Sequence, residues 1–146
     1  MGRINLINGI INGTGTLTTT FDTISVQAGT IRASLADVGT SGNSIPARLV
    51  KTTAGTVTLT SANSTYGGVT EIQAGTLIVT SLADRGNASS IGTGTYEDGA
   101  IRLGSAGNAG TLQYLAMPMP LRTVCSSWWV PAGQASLITQ ANMELH

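Results

Sequence analysis

Charge is what this chain has least of: 10% of its 146 residues are charged, seven basic against seven acidic, and the formal net charge is zero. The basic residues are strung from Arg3 to Arg122 without a cluster. That balance excludes a disordered polyelectrolyte and a basic nucleic-acid binder. Aromatic residues are also scarce, at 4%, so a large globular core is not expected. There is one cysteine, Cys125, which excludes a disulfide or a CxxC metal site within the chain. The one histidine, His146, is the last residue, where a positioned catalytic base is not expected. No run of 18 apolar residues occurs, which excludes a membrane-spanning helix. In the first twelve residues Asn5, Asn8, Gly9 and Asn12 interrupt the isoleucines before they reach the length of a signal-peptide core.

Glycine and threonine are plentiful instead, and together exceed a quarter of the residues. The stretch Ala54 to Thr80, AGTVTLTSANSTYGGVTEIQAGTLIVT, shows how they are used. Val57 and Leu59 alternate with threonines, and Leu77 and Val79 stand two apart, which is the period of a half-buried strand. Between them Ser61 to Gly68 has the composition of a turn. The same word recurs at Gly15-Thr16-Leu17, Gly29-Thr30-Ile31, Gly55-Thr56-Val57, Gly75-Thr76-Leu77 and Gly110-Thr111-Leu112, with Gly99-Ala100-Ile101 as a variant. The longest internal match pairs Val26 to Asp37 with Ile72 to Asp84. Irregular spacing between these glycines predicts a solenoid whose coils carry loops of differing length.

GTVTLTSANSTYGGVTEIQAGTL, Gly55 to Leu77, resembles the autotransporter-associated β-strand repeat of bacterial surface passengers, with its GTLTL-type strand, AN-T-Y-GG turn and INAGTL-type strand. Ala88-Ser89-Ser90-Ile91-Gly92 and Ala109 to Tyr114 resemble the segments downstream of that repeat in such proteins. The resemblance covers residues 13 to 114 and implies an exported, outer-membrane-associated location at the cell surface. It also implies a longer parent protein carrying a barrel domain, so the chain is expected to be a passenger fragment.

The predicted fold is all-β, a right-handed parallel β-helix with irregular coils. Residues 1–12 are expected to form an N-terminal edge segment, 13–114 the repeat region and 115–146 a divergent tail. The tail holds Met117, Pro118, Met119, Pro120, Cys125, Trp128, Trp129 and Pro131 and contains no Gly-Thr-apolar word. It is read as a cap for an open solenoid end, a binding patch built on the tryptophans, or sequence outside the family.

Candidate chemical groups have plainer explanations. The carboxylates are Asp22, Asp37, Glu71, Asp84, Glu97, Asp98 and Glu144. Asp98-Gly99 is a turn dipeptide, and Asp37 and Asp84, which occupy equivalent repeat positions, both look like loop residues. Asn12, Asn63 and Asn87 open glycosylation-like sequons that are better explained as turns. Gly92-x-Gly94 lacks the third glycine of a dinucleotide fingerprint. No catalytic, metal or cofactor residue is therefore assigned, and no cofactor is expected. The expected role is a non-catalytic stalk or adhesion module whose partners are neighbouring coils of its parent and host or matrix glycans or proteins. Two alternatives stand beside it. One is a polysaccharide-acting β-helix enzyme, and the other an ice-binding surface built on Thr16, Thr18 and Thr20 or on Thr56, Thr58 and Thr60, which alternate along strands.

Overall fold

The computed structural model describes residues 3–20, 22–38, 46–96 and 101–116. Among them there is no helix; the chain forms twelve short strands that recur in circuits. The first circuit lays down β1 (Asn5–Leu6), β2 (Ile10–Ile11) and β3 (Thr16–Thr19), and the second β4 (Thr23–Val26), β5 (Gly29–Ile31) and β6 (Ser34–Asp37). The third gives β7 (Arg48–Lys51) and β8 (Thr56–Leu59), and the fourth β9 (Thr70–Ile72) and β10 (Gly75–Val79). The fifth gives β11 (Ile101–Leu103) and β12 (Gly110–Tyr114). They assemble into a sheet β1-β4-β7-β9-β11, a sheet β2-β5-β8-β10-β12 and a pair β3-β6. Each named pairing is parallel and joins strands one circuit apart.

Period-two alternation becomes a set of inward files. In the second sheet Val57, Leu77 and Leu112 stack in one file, and Ile31, Leu59 and Val79 in the next. Val57, Ile31, Leu77, Leu59 and Val79 are buried, while Thr58 and Ile78, one residue along, are only half-buried on the outer side. In the first sheet Ile24 lies beside Leu49, and both are fully buried. Each such side chain contributes about 1.5–3 kcal/mol through removal from water, so a core one side chain wide gains stability circuit by circuit.

The repeated words are not all equivalent in space. Gly55, Gly75 and Gly110 stand at the same level of the second sheet, but Gly29 pairs with Val57, two residues further on. Gly15-Thr16-Leu17 opens β3, on a different face. The internal match between Val26–Asp37 and Ile72–Asp84 therefore holds at Val26 and Ile72, which share a file through Lys51, and slips by two at the following glycines. Gly75 has φ +72°, and a Cβ there would lie 2.4 Å from the carbonyl oxygen of Gly55 in the circuit beneath. Its place demands close backbone approach as well as a left-handed conformation.

The third face continues past β3-β6 without strands. Ser61 to Gly68, whose composition reads as a turn, is irregular but stacked and partly buried. Thr65 N–H donates to the Leu35 carbonyl at 2.8 Å, the Leu35 N–H donates to Ser64 Oγ at 3.1 Å, and Ser64 and Ser89 exchange backbone hydrogen bonds. Tyr66 is fully buried there, its hydroxyl 2.9 Å from Thr70 Oγ1, so an aromatic ring enters the otherwise aliphatic core cluster.

Candidate binding site

The chain makes its long described excursion after β10, and hydrogen bonds within it give it a defined shape. Gly86 N–H donates to the Thr93 carbonyl at 2.8 Å, Asn87 N–H to Asp84 O at 3.0 Å, and Ser90 N–H to Ser81 O at 3.1 Å. Ser89 Oγ donates to Gly92 O at 2.9 Å, and Thr93 N–H donates to Tyr66 O at 2.9 Å, seating the excursion on the circuit beneath. At Gly92, φ is +73° and a Cβ would fall 2.2 Å from the Tyr66 carbonyl oxygen. Only glycine lets the backbone come this close.

Between the excursion and the first sheet lies a half-enclosed cavity of about 130 Å³. Ala83, Ile91 and Ile101 are its aliphatic lining residues, joined by Thr70, Ser89 and Thr93; the Thr70 hydroxyl is engaged with Tyr66, and Ser89 Oγ donates to Gly92 O and accepts from the Ile91 N–H. Arg85 is the one charged residue among the described lining residues, and its Nη2 donates to the Thr95 carbonyl at 2.9 Å. A guanidinium carries five N–H donors, so this bond fixes the side chain without exhausting it.

The carboxylates weighed from sequence do other work. Asp37 Oδ2 accepts from the Ala47 N–H at 3.0 Å and the Gly67 N–H at 2.9 Å, tying together two segments far apart in sequence. Asp84 is exposed in the excursion, so the two aspartates are not structurally equivalent. Glu71 accepts from Gln73 Nε2, and Asp22 accepts from Thr23 Oγ1. No group of three or more His, Cys, Asp or Glu that could hold a metal occurs among the described residues. Asn12, Asn63 and Asn87 are exposed. Thr16 and Thr18 face Ser34 and Ala36 across β3-β6, whereas Thr56 lies beside Thr76, which lies beside Thr111, and Thr58 lies beside Thr30 and Ile78, on the second sheet. The two threonine sets thus stand on different faces. Glu97, Asp98, Cys125, Trp128, Trp129, Glu144 and His146 lie outside the described residues.

Two buried ionisable groups have no signature in the sequence. Lys51 sits in an inward file between Val26 and Ile72, fully buried. Its Nζ donates to the carbonyls of Gln27, at 3.2 Å, and Thr53, and Thr53 Oγ1 donates to the same Gln27 oxygen at 2.7 Å. The amine thereby staples the corner between the first and second sheets in two successive circuits. Burial lowers the Lys51 pKa below its ordinary 10.5 and raises that of Tyr66 above its ordinary 10.0. The signs follow from linkage. Lys51 contributes stability that is lost as pH falls through its lowered value, and Tyr66 contributes stability that is lost as pH rises above about 10. Unfolding free energy should therefore rise on the alkaline side towards pH ~10 and fall beyond it. Urea titrations at several pH values check this: Lys51→Met should flatten the rise and Tyr66→Phe the fall, and unchanged profiles would contradict the assignment.

Among known proteins, the chain is 33% identical over 114 residues to the adhesin BmaC autotransporter of Brucella suis biovar 1. The aligned part is 78% of this chain and 3% of the relative, so the chain spans a small fraction of that adhesin's length. No family model and no solved structure matches the chain. The similarity is therefore to a small part of an autotransporter adhesin.

Proposed function

We propose that the chain is a stretch of a surface-displayed passenger of the autotransporter-associated β-strand repeat type, folded as a right-handed parallel β-helix and acting as stalk and adhesive surface without catalysis. The observation that carries this reading is the stacking itself: each circuit adds a parallel strand to the same two sheets. That is how a solenoid extends away from a surface while exposing side faces to partners. The 33% identity to an autotransporter adhesin supports the adhesive role. In this reading residues 13–114 are the repeat region, and further coils or a barrel of the parent adjoin them. The tail beyond Ala116 lies outside the described residues.

The experiment is display. The chain is placed between a secretory signal and an outer-membrane barrel in a Gram-negative host, and intact cells are treated with protease and overlaid on glycan- and matrix-coated surfaces. Cleavage of the chain on intact cells and adhesion above that of a barrel-only control are expected. Protection from external protease would overturn surface display, and exposure without adhesion would leave a stalk and remove the adhesive half of the proposal. Release of reducing sugar from pectin-like polymers by the purified chain would overturn the absence of catalysis.

A further inference from the structure

We infer that Asn8-Gly9, in the bend between β1 and β2, is a site of spontaneous covalent modification, where the Asn8 side chain closes onto the Gly9 nitrogen and reopens as aspartate or isoaspartate, loosening the first circuit from the second. The reagent is water. The inference stands apart from the adhesive reading above.

Geometry supplies the first reason. The Gly9 N–H donates to Asn8 Oδ1 at 2.8 Å, so the carboxamide is folded back over the nitrogen that must attack it. Asn8 Cγ is one C=O bond, about 1.23 Å, from that oxygen and so no further than about 4 Å from the nitrogen, against the ~3–3.5 Å of a near-attack arrangement. Rotation about the Cβ–Cγ bond, a soft torsion, turns the carbon towards the nitrogen in place of the oxygen. Both residues are exposed, and nothing lies within 4 Å of a Cβ built at Gly9, so a five-membered ring has room to form. Glycine, lacking a Cβ, leaves its nitrogen unshielded.

The chain holds its own comparison. Asn12-Gly13 is the other Asn-Gly pair, it is exposed, and its glycine also has a positive φ, +140° against +109° at Gly9. The bond that folds Asn8 over Gly9 has no counterpart at Asn12 among the described residues. Local chemistry is thus shared, and the folded geometry differs.

The reaction needs no oxidant and no enzyme. A solvent base takes the proton of the Gly9 amide, the nitrogen bonds to Asn8 Cγ, and the bond from Cγ to the side-chain nitrogen breaks as ammonia leaves. Water then opens the cyclic imide. Breaking the new bond between Cγ and the Gly9 nitrogen leaves aspartate, whereas breaking the bond between that nitrogen and the Asn8 main-chain carbonyl carbon leaves isoaspartate, whose backbone runs through Cγ.

Either product adds a carboxylate, and isoaspartate also lengthens the link between β1 and β2 by a backbone carbon. That link has no slack. The Gly9 carbonyl accepts from the Thr30 N–H at 2.9 Å, a Cβ at Gly29 would collide with the same oxygen, and β2 is held to β5 through Ile10 and Ile11 alone. A longer link shifts the Gly9 carbonyl off Thr30 and strains the short ladder beyond it.

The test is to age the purified full chain in mildly alkaline buffer, folded and in concentrated urea, and to follow both Asn-Gly pairs by peptide mass spectrometry with an isoaspartate-specific assay. In the folded chain Asn8 should convert about tenfold faster than Asn12, and in urea the two should converge. The Asn8 rate should rise with pH, because the deprotonated amide is the nucleophile. Asn8→Gln, which would have to close a larger ring, should stop conversion at that position and leave Asn12 unchanged. Hydrogen exchange of the aged chain should quicken at the Thr30 and Arg32 amides, which donate to Gly9 and Ile11 in the first circuit. Asn12 converting as fast as Asn8 in the folded chain, or Asn8 keeping its lead in urea, would overturn the role of the fold. Unchanged exchange at Thr30 after conversion would overturn the loosening of the first circuit.

Discussion

Leu77→Asp is expected to cost about 4 kcal/mol or more and to leave the chain largely unfolded at room temperature, whereas Thr58→Asp should cost no more than about 1 kcal/mol. Leu77 is fully buried, stacked between Val57 and Leu112 in an inward file. Replacing it with aspartate removes the apolar transfer energy and buries an unpaired carboxylate between Val57 and Leu112. Removing a leucine side chain alone costs about 2–5 kcal/mol in a packed core, against a total stability of about 5–15 kcal/mol for a domain of this size. Thr58 is half-buried on the outer side of the adjacent strand, where a new carboxylate reaches water. Urea midpoints for both variants provide the measurement. Equal losses would show that the alternation along β8 and β10 is not a burial pattern.

The second large effect is at a residue with no side chain. Gly75→Ala is expected to cost about 3 kcal/mol or more, and Gly15→Ala to be neutral or slightly stabilising. At Gly75 the added methyl would lie 2.4 Å from Gly55 O and 2.6 Å from both Ala54 C and Thr53 O, all backbone of the circuit beneath. The left-handed conformation, φ +72°, costs an alanine about 1–2 kcal/mol by itself. Relief of the overlap would require the two circuits to part, at the expense of the Thr76 N–H bond to Gly55 O. At Gly15 nothing lies within 4 Å of the added methyl and φ is not positive. An alanine there trims the freedom of the unfolded chain, a gain of about 0.4–1 kcal/mol where the conformation is compatible. Both glycines open the same Gly-Thr-Leu word, so thermal unfolding of the two variants separates the word's local propensity from its place in the stack. Equal destabilisation would mean that the inter-circuit approach at Gly75 is not what selects glycine.

Much of the architecture is legible in the residues because it depends on local terms. Val57, Leu59, Leu77 and Val79 alternate with polar or outward residues, no segment keeps a 3.6-residue period, and glycine and asparagine mark the bends. These are enough for an all-β chain of short strands, since strand period and turn chemistry are properties of a few consecutive residues. The pairing of Leu77 with Val57 and of Val79 with Leu59 could also be read from the repeated word, and the ladder has that register.

Other features depend on what the stack brings together. Lys51 follows Leu49 by two and is thereby inward, yet nothing local announces that its amine will meet the carbonyls of Gln27 and Thr53. A lysine in a strand normally reads as solvent-facing, and only carbonyls arriving from the bends of two circuits make its burial tolerable. Arg85 reads as an ordinary loop residue until Thr95, Thr70 and Ile101 are folded around it.

Composition and period by themselves determined that the chain builds strands, that glycines punctuate them and that it holds one histidine and one cysteine. The tertiary structure decided the rest: the two-residue offset of Gly29, the division of the threonines between faces, the buried lysine and the cavity at Arg85. The physical reason is range. Strand and turn preferences are written in neighbouring residues, whereas register, burial of a charge and the walls of a pocket are set by backbone groups from circuits about 20 to 35 residues apart along the chain.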